Sequence, residues 1–193
     1  ATNNNPGRTG LLQSRGIIYE EFLPELRGRE WYKKADEMRR NNALIAAALL
    51  AIEMPIRDID FYWESDDGED DPRLELLEAA EKNLSHTLYD HITEGLTMLW
   101  AGYSVFAIWY ERKDGQVLWR KFLPLGQDTV YRWDIDDEGG INGLFQYPHI
   151  YQPRIPIERA LLYRTKTERN NPEGWSLLRP AYVDYYFTKN LNQ

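Results

Sequence analysis

The sequence contains no cysteine, and only three of its 193 residues are histidine. The lack of cysteine excludes disulfide scaffolds, thiol nucleophiles and zinc sites built on thiolates. Basic residues are outnumbered, since the chain has 23 lysines and arginines against 31 aspartates and glutamates, for a formal net charge of -8. That balance argues against broad nucleic-acid binding, which needs clustered positive charge. The longest apolar run, residues 43–52, is too short to span a bilayer, so no membrane partner is expected.

Aromatic residues, in contrast, are abundant. The chain carries 7 Trp, 13 Tyr and 6 Phe, which together make up 13% of its residues. A single domain of this size seldom buries so many rings completely, and Tyr and Trp are favoured where one end of the ring is packed and the other is wet. The composition therefore predicts surfaces that meet a partner.

The first third of the chain has the pattern of an extended arm followed by helices. Residues 1–28 carry scattered Gly and Pro, which predicts an extended arm. Over residues 30–53 apolar side chains recur three or four apart without Gly or Pro, which predicts a helical region that Asn41-Asn42 divides. Pro55 is expected to end this region. Residues 56–63 are rich in β-branched and aromatic types and predict a strand.

An acidic loop is expected next, because residues 64–71 hold six carboxylates in eight positions. So many like charges cannot pack together in a core, and the loop must be solvated. Asp71 before Pro72 predicts a helix N-cap followed by proline at the first helical position. The apolar spacing of residues 72–100 predicts a helix with a break near residues 83–85, and Gly102 is expected to end it.

After Gly102 the spacing of apolar residues changes from that of helices to that of strands. Five segments predict strands: residues 103–110, 116–122, 129–135, 141–147 and 160–165. Asp114-Gly115 and residues 136–140 predict the turns of two hairpins, and the prolines of residues 148–156 predict an irregular or edge segment. A β-turn is expected at residues 171–174, and Ser176 is expected to cap a final helix through Lys189.

This order of elements predicts the fold class. Amino-terminal helices, then antiparallel β-hairpins, then a terminal helix define an α+β fold. Residues 29–193 are predicted to form a single domain that follows the arm of residues 1–28 and contains the acidic loop of residues 64–71.

The chemical motifs in the chain are weak. Asp134 and Asp136 imitate the start of an EF-hand loop, but Phe145 stands where a bidentate Glu is needed, so a hairpin turn is favoured. His86 and His91 are five residues apart, which on one helix points them about 140° away from each other and argues against a shared metal ion. We therefore assign no catalytic, cofactor-binding or metal-binding residue, and we expect no enzyme activity.

An alternative function is a carbohydrate-acting enzyme or binding module. It would use exposed rings such as Trp109, Trp119 and Trp133 beside a pair of carboxylates. On alternating strands, however, such rings more often belong to core or cross-strand packing.

The most specific motif is the segment Asn171-Pro-Glu-Gly-Trp-Ser-Leu-Leu-Arg-Pro-Ala-Tyr182. It resembles the N-P-x-G-x-S-L-L-R-P-x-Y signature of the portal proteins of tailed bacteriophages, in the group found in Mu-like phages and prophages. Three further segments are similar to that family in the same order: residues 32–63, 96–109 and 131–146. The chain departs from the family at Ala107, where an acidic residue is common.

The resemblance implies an amino-terminal piece of a portal subunit that holds a wing-type domain. It implies a homo-oligomeric ring of about twelve subunits, which forms the capsid-vertex channel for packaging and ejecting double-stranded DNA without reading its sequence. The implied partners are the terminase large subunit, the capsid and the head-tail adaptor proteins. The implied location is the virion, with the host cytoplasm during assembly, and no cofactor is implied.

The last predicted helix is apolar on most sides, and such a helix must be covered on most sides. Tyr182, Tyr185 and Tyr186 are therefore candidate contacts with another subunit or with further parts of the chain. The alternative is an ordinary terminal helix that packs its tyrosines into the core.

Overall fold

A computed structural model of the protein describes residues 7–68, 71–147 and 154–191, and it confirms the α+β class. The helices are α1 (Arg29–Asn41), α2 (Ala43–Arg57), α3 (Pro72–Lys82), α4 (Leu88–Gly95), α5 (Met98–Ala101) and α6 (Tyr182–Leu191). The strands are β1 (Gln13–Ser14), β2 (Ile17–Ile18), β3 (Tyr103–Lys113), β4 (Gln116–Leu125), β5 (Val130–Ile135), β6 (Ile141–Gln146), β7 (Arg154–Pro156) and β8 (Ala160–Arg164).

The division of the first helical region is confirmed. The side chain of Asn42 accepts hydrogen bonds from the backbone N–H groups of Leu44 and Ile45, so it caps α2 directly after α1 ends. The expectation that Pro55 ends the helix is wrong, because α2 continues to Arg57. A proline this close to the carboxyl end interrupts little of the helix that follows, and the backbone N–H of Asp58 still reaches the carbonyl of Met54.

The predicted strand at residues 56–63 is also wrong. Its first two residues complete α2, and the rest is exposed chain without regular structure. An extended segment needs a neighbouring strand for its backbone groups. Residues 58–63 pair with none of the described strands, including the edge strands β4 and β8, so no hydrogen-bond ladder holds them extended.

The helical stretch that follows is confirmed together with its break. Asp71 accepts a hydrogen bond from the backbone of Arg73 and caps α3, and Thr87 begins α4 with a capping box. Gly102, at φ 108°, ends α5 in a conformation that L-residues avoid. The acidic loop is described at residues 64–68, which contain a turn, and at Asp71; residues 69–70 lie outside the described residues. Residues 64 and 66–68 are exposed as expected, but Asp71 is buried at 7% exposure, because it caps α3 and pairs with Arg73.

The strands form two three-stranded antiparallel sheets, ordered β4-β3-β8 and β5-β6-β7. Both predicted hairpins are confirmed. Asp114 and Gly115 have φ values of 50° and 83°, as the two-residue turn requires. The segment that imitates an EF-hand is a hairpin turn in which the Asp136 carboxylate accepts hydrogen bonds from the backbone of Glu138 and Gly140. Of the proline-rich segment, residues 148–153 lie outside the described residues, and β7 is an edge strand.

The final helix begins later than predicted. Ser176 does accept a hydrogen bond from the backbone of Leu178, but α6 starts only at Tyr182. A helix capped at Ser176 would place Pro180 in its fourth position, where the ring meets the carbonyl four residues earlier. Turns therefore occupy residues 177–181, and the helix forms after the proline.

The arm packs onto the rest of the molecule over its described residues 7–28. Ile18 and Leu26 are buried in the same core as Tyr103 and Trp133. The backbone N–H of Trp133 donates to the carbonyl of Gly16, so β2 lies beside β5. Whether the arm and the remainder are separate units stays a prediction. No helix of the described residues is long and apolar enough to cross a membrane.

Candidate interaction surfaces

The segment that carries the specific sequence motif, residues 171–182, is fastened to the junction between α5 and β3. The hydroxyl of Ser176 donates to the carbonyl of Trp100 at 2.5 Å, and the backbone N–H of Leu177 donates to the carbonyl of Leu99 at 2.9 Å. Arg179 forms two hydrogen bonds with the carboxylate of Glu21, at 2.5 and 2.7 Å. Such a paired contact fixes direction as well as position. These contacts of the motif therefore set the direction in which α6 begins and connect it to the arm.

Two glycines make this attachment possible. A Cβ atom on Gly174 would lie 2.2 Å from the carbonyl oxygen of Gly102, and a Cβ atom on Gly102 would lie 2.5 Å from the carbonyl oxygen of Glu173. Both glycines also have positive φ. The close approach of the two backbone segments therefore excludes any side chain at either position.

The motif also inserts a carboxyl group among aromatic rings. Glu173 accepts a hydrogen bond from the indole N–H of Trp133 at 3.3 Å, and the hydroxyl of Tyr32 also acts to lower its pKa. Tyr32, Tyr103 and Trp133 are 6%, 0% and 1% exposed, so little water reaches the carboxyl group from their side. Burial raises the pKa of Glu173 to about 7, although Trp133 and Tyr32 act to lower it. Glu173 is itself half-buried, so its titratable group lies at the edge of the core, against these rings.

The three candidate tyrosines of α6 divide between two faces. Tyr182 and Tyr185 are half-buried against the core, and the hydroxyl of Tyr185 donates to Glu37 on α1 at 3.2 Å. Tyr186 points outward and is 51% exposed. Three more exposed apolar residues share this outward side. We call the four residues together, Val183, Tyr186, Phe187 and Leu191, the α6 stripe.

A second exposed apolar surface lies on α2. Of its 15 residues, all of them described, Leu49 is the one that is buried. The side opposite Leu49 is exposed and consists of apolar residues spaced three, four and three apart. We call these residues, Leu44, Ala47, Ala51 and Met54, the α2 stripe. Exposed apolar surface of this extent marks a site of interaction.

The chain beyond α2 extends this apolar surface. Ile59, Phe61 and Tyr62 are all exposed. A groove between this segment and α4 contains Tyr89, whose ring lies 4.9 Å from the guanidinium of Arg57. The sequence pattern identified these aromatic residues but placed them in a strand, so their exposure was not foreseen.

The two histidines are closer together than their spacing suggested. His86 precedes α4 instead of lying on it, and its ring is 6.1 Å from that of His91. His91 is 5% exposed, lies 4.4 Å from the ring of Phe106 and shares a hydrogen bond of 2.9 Å with Tyr163. The expectation that the histidines point apart is therefore wrong. Among the described residues, no three acidic or histidine side chains lie close enough together to hold a metal ion.

The tryptophans proposed to stack on sugars have three different surroundings. Trp133 is buried at 1% exposure, Trp119 is half-buried with its ring 6.1 Å from that of Trp63, and Trp109 is 50% exposed. Trp133 is therefore a core residue, and it offers no face to a sugar.

The fold and these surfaces together describe an α+β protein whose apolar helix faces are left open in the isolated chain. A comparison with protein families identifies the family of the chain. The model of the family described as the portal protein of Mu bacteriophage matches residues 32–193, and the chain belongs to this family. It is thus a phage portal protein of the Mu-like group, a family of structural proteins of the virion. No curated protein matches the chain.

Sequence reasoning found one of the two open surfaces. The all-round apolar pattern of α6 led to Tyr186, which is exposed. The α2 stripe was missed, although the run Ala-Leu-Ile-Ala-Ala-Ala-Leu-Leu-Ala-Ile at residues 43–52 is apolar on every side. A helix of that kind must be covered on every side, and this signal was available.

Proposed function

We propose that the protein is a structural subunit of a phage portal ring, the capsid-vertex channel through which double-stranded DNA is packaged and later ejected. The ring contains about twelve copies, a closed cyclic assembly. It docks the terminase large subunit during packaging and the head-tail adaptor proteins afterwards. The protein acts in the virion, after assembly in the host cytoplasm.

The observation that carries this proposal is the family match over residues 32–193. The charge of the chain supports the proposal, because a protein with a net charge of -8 binds DNA phosphates weakly. Weak binding suits a channel through which DNA must move. The open apolar faces of α2 and α6 support it as well, since a ring subunit must bury part of its surface against its neighbours. Tyr186, on the exposed face of α6, is the best placed of the three tyrosines to make such a contact.

Electron microscopy of the natural full-length subunit tests the proposal. We expect negatively stained particles to be rings with a central channel, and class averages to give the number of copies. A monodisperse monomer at concentrations where portal subunits assemble would overturn the proposal.

A further inference from the structure

The α2 stripe and the α6 stripe are two open surfaces of one chain. We infer that the α2 stripe of one subunit receives the α6 stripe of a second copy, in a head-to-tail contact. This inference rests on the proposed ring and names the two surfaces that meet within it.

The spacing of the α2 stripe is that of a helix-helix seam. Leu44, Ala47, Ala51 and Met54 recur at intervals of three, four and three, which is the pattern that packs against another helix. The two alanines at the centre of the seam are small, so the backbone of a partner helix can approach closely there. The surface therefore fits a helix better than a strand or a loop.

The residues of the α6 stripe also follow one side of a helix. Val183, Phe187 and Leu191 follow each other at intervals of four, and Tyr186 lies beside them. The seam from Val183 to Leu191 rises about 12 Å and that from Leu44 to Met54 about 15 Å, so one covers most of the other. Large rings on α6 would then lie over the small residues at the centre of α2.

The opposite face of α6 is held in place by α1. The carboxylate of Glu37 accepts hydrogen bonds from both Tyr185 and Lys189. These contacts fix the rotation of α6 about its own axis, so the α6 stripe stays presented outward.

Charge favours one direction of docking. Arg57, in the last turn of α2, donates to the hydroxyl of Tyr89 at 2.5 Å and forms no ion pair with the described residues. Asp184, in the first turn of α6, is exposed. An antiparallel arrangement brings these opposite charges to the same end of the seam and also opposes the two helix dipoles.

A second copy is the occupant that these features select. A contact between two different surfaces of identical chains is heterologous, and it builds a ring when the rotation closes. Pairing of the α2 stripe with itself would instead give a two-fold dimer. Because one chain carries both the α2 stripe and the α6 stripe, copies of this chain can bury both surfaces without a different protein.

Cysteine cross-linking tests the contact, because these 193 residues contain no cysteine of their own. The full-length subunit is made with Ala51→Cys, with Phe187→Cys and with both. Under mild oxidation we expect the double variant to shift most of its monomer into a ladder of covalent multimers, and each single variant to remain monomeric on a denaturing gel. Rings without this ladder would overturn the inference and leave the ring proposal standing. Dimers from Ala51→Cys alone would also overturn it, whereas an absence of rings in the unmodified protein would refute both proposals.

A charge substitution supplies an independent test. Leu44 is 80% exposed in the first turn of α2, where a negative charge favours the helix. We therefore expect Leu44→Glu to keep the fold, as judged by circular dichroism, and to weaken ring assembly by about tenfold or more. Val117→Glu is the matched control, because Val117 is 54% exposed on β4 and lies outside both stripes. Assembly of Leu44→Glu at the level of this control would contradict the inference.

Discussion

The carboxyl group of Glu173, half-buried against Tyr32 and Trp133, leads to a specific prediction about stability and pH. Its pKa is raised to about 7 from an ordinary 4.5, mainly by burial. Between these two values the folded protein holds a proton that the unfolded chain has released, so stability falls as the pH rises from 4.5 to 7. The difference in pKa corresponds to about 3 kcal/mol of unfolding free energy. Below pH 4.5 both states are protonated and the loss disappears.

The substitution Glu173→Gln isolates this effect. A glutamine keeps the oxygen that accepts from Trp133 and is neutral at every pH. We expect the variant to match the original protein near pH 4 and to be more stable by about 3 kcal/mol at pH 8. Chemical unfolding followed over a pH series measures the difference. The exposed Glu168 supplies a control, since Glu168→Gln should shift stability slightly and without this rise towards high pH.

One result would refute the reasoning about Glu173. A cavity of about 80 Å³ adjoins its side chain and has room for water. If the stability difference between Glu173→Gln and the original protein does not change between pH 4 and pH 8, the carboxylate is hydrated there and its burial is not the controlling factor.

Two further predictions concern backbone geometry and capping. Gly174→Ala should destabilise the protein by several kcal/mol, because its Cβ atom would overlap the carbonyl of Gly102. Gly115→Ala is the control and should cost about 1 kcal/mol, because the space around Gly115 is open. Equal losses of stability in thermal unfolding would contradict the close approach of Gly174 to Gly102. Asn42→Ala should cost about 1 kcal/mol through loss of the α2 cap. Asn42→Asp should recover most of the lost stability, because aspartate can cap the helix in the same way. If Asn42→Asp is as unstable as Asn42→Ala, Asn42 does not stabilise the protein through the cap.

The features that sequence predicted well are those governed by neighbouring residues. Asn42 as a cap, Asp71 before Pro72 and the Asp114-Gly115 turn each depend on a side chain or a φ value within a few positions. Such interactions are present in the sequence itself, so the starts of α2 and α3 and the turn of the first hairpin follow from it.

The errors arose where distant parts of the chain decide. Residues 59–63 have strand composition, but the fold places no described strand beside them to complete their hydrogen bonds. Glu173 is an ordinary position within the motif until the fold brings Tyr32 and Trp133 against it. His86 and His91 meet because the chain breaks between α3 and α4, which their spacing alone does not show. Exposed interaction surfaces are even harder to predict from the sequence, because the residues that cover them belong to another molecule.

The buried side chain of His91 should change stability with pH in the direction opposite to Glu173. Burial, with a contribution from His86, lowers the pKa of His91 to about 4 from 6.5. Between these values the unfolded chain binds a proton that the folded protein rejects, so stability falls as the pH drops from 6.5 to 4. Glu173 does the reverse over pH 4.5 to 7. In the shared range the two contributions have similar size and opposite sign, so they largely cancel.

Single variants should reveal this cancellation. Relative to the double variant, Glu173→Gln should lose stability on acidification from pH 6.5 to 4.5, and His91→Gln should gain it. The double variant is the reference because it keeps every other titrating group, including His86. Both slopes can be read from chemical unfolding at a few pH values. If the stability of the two single variants depends on pH in the same way, the burial of neither Glu173 nor His91 controls the pH dependence of stability.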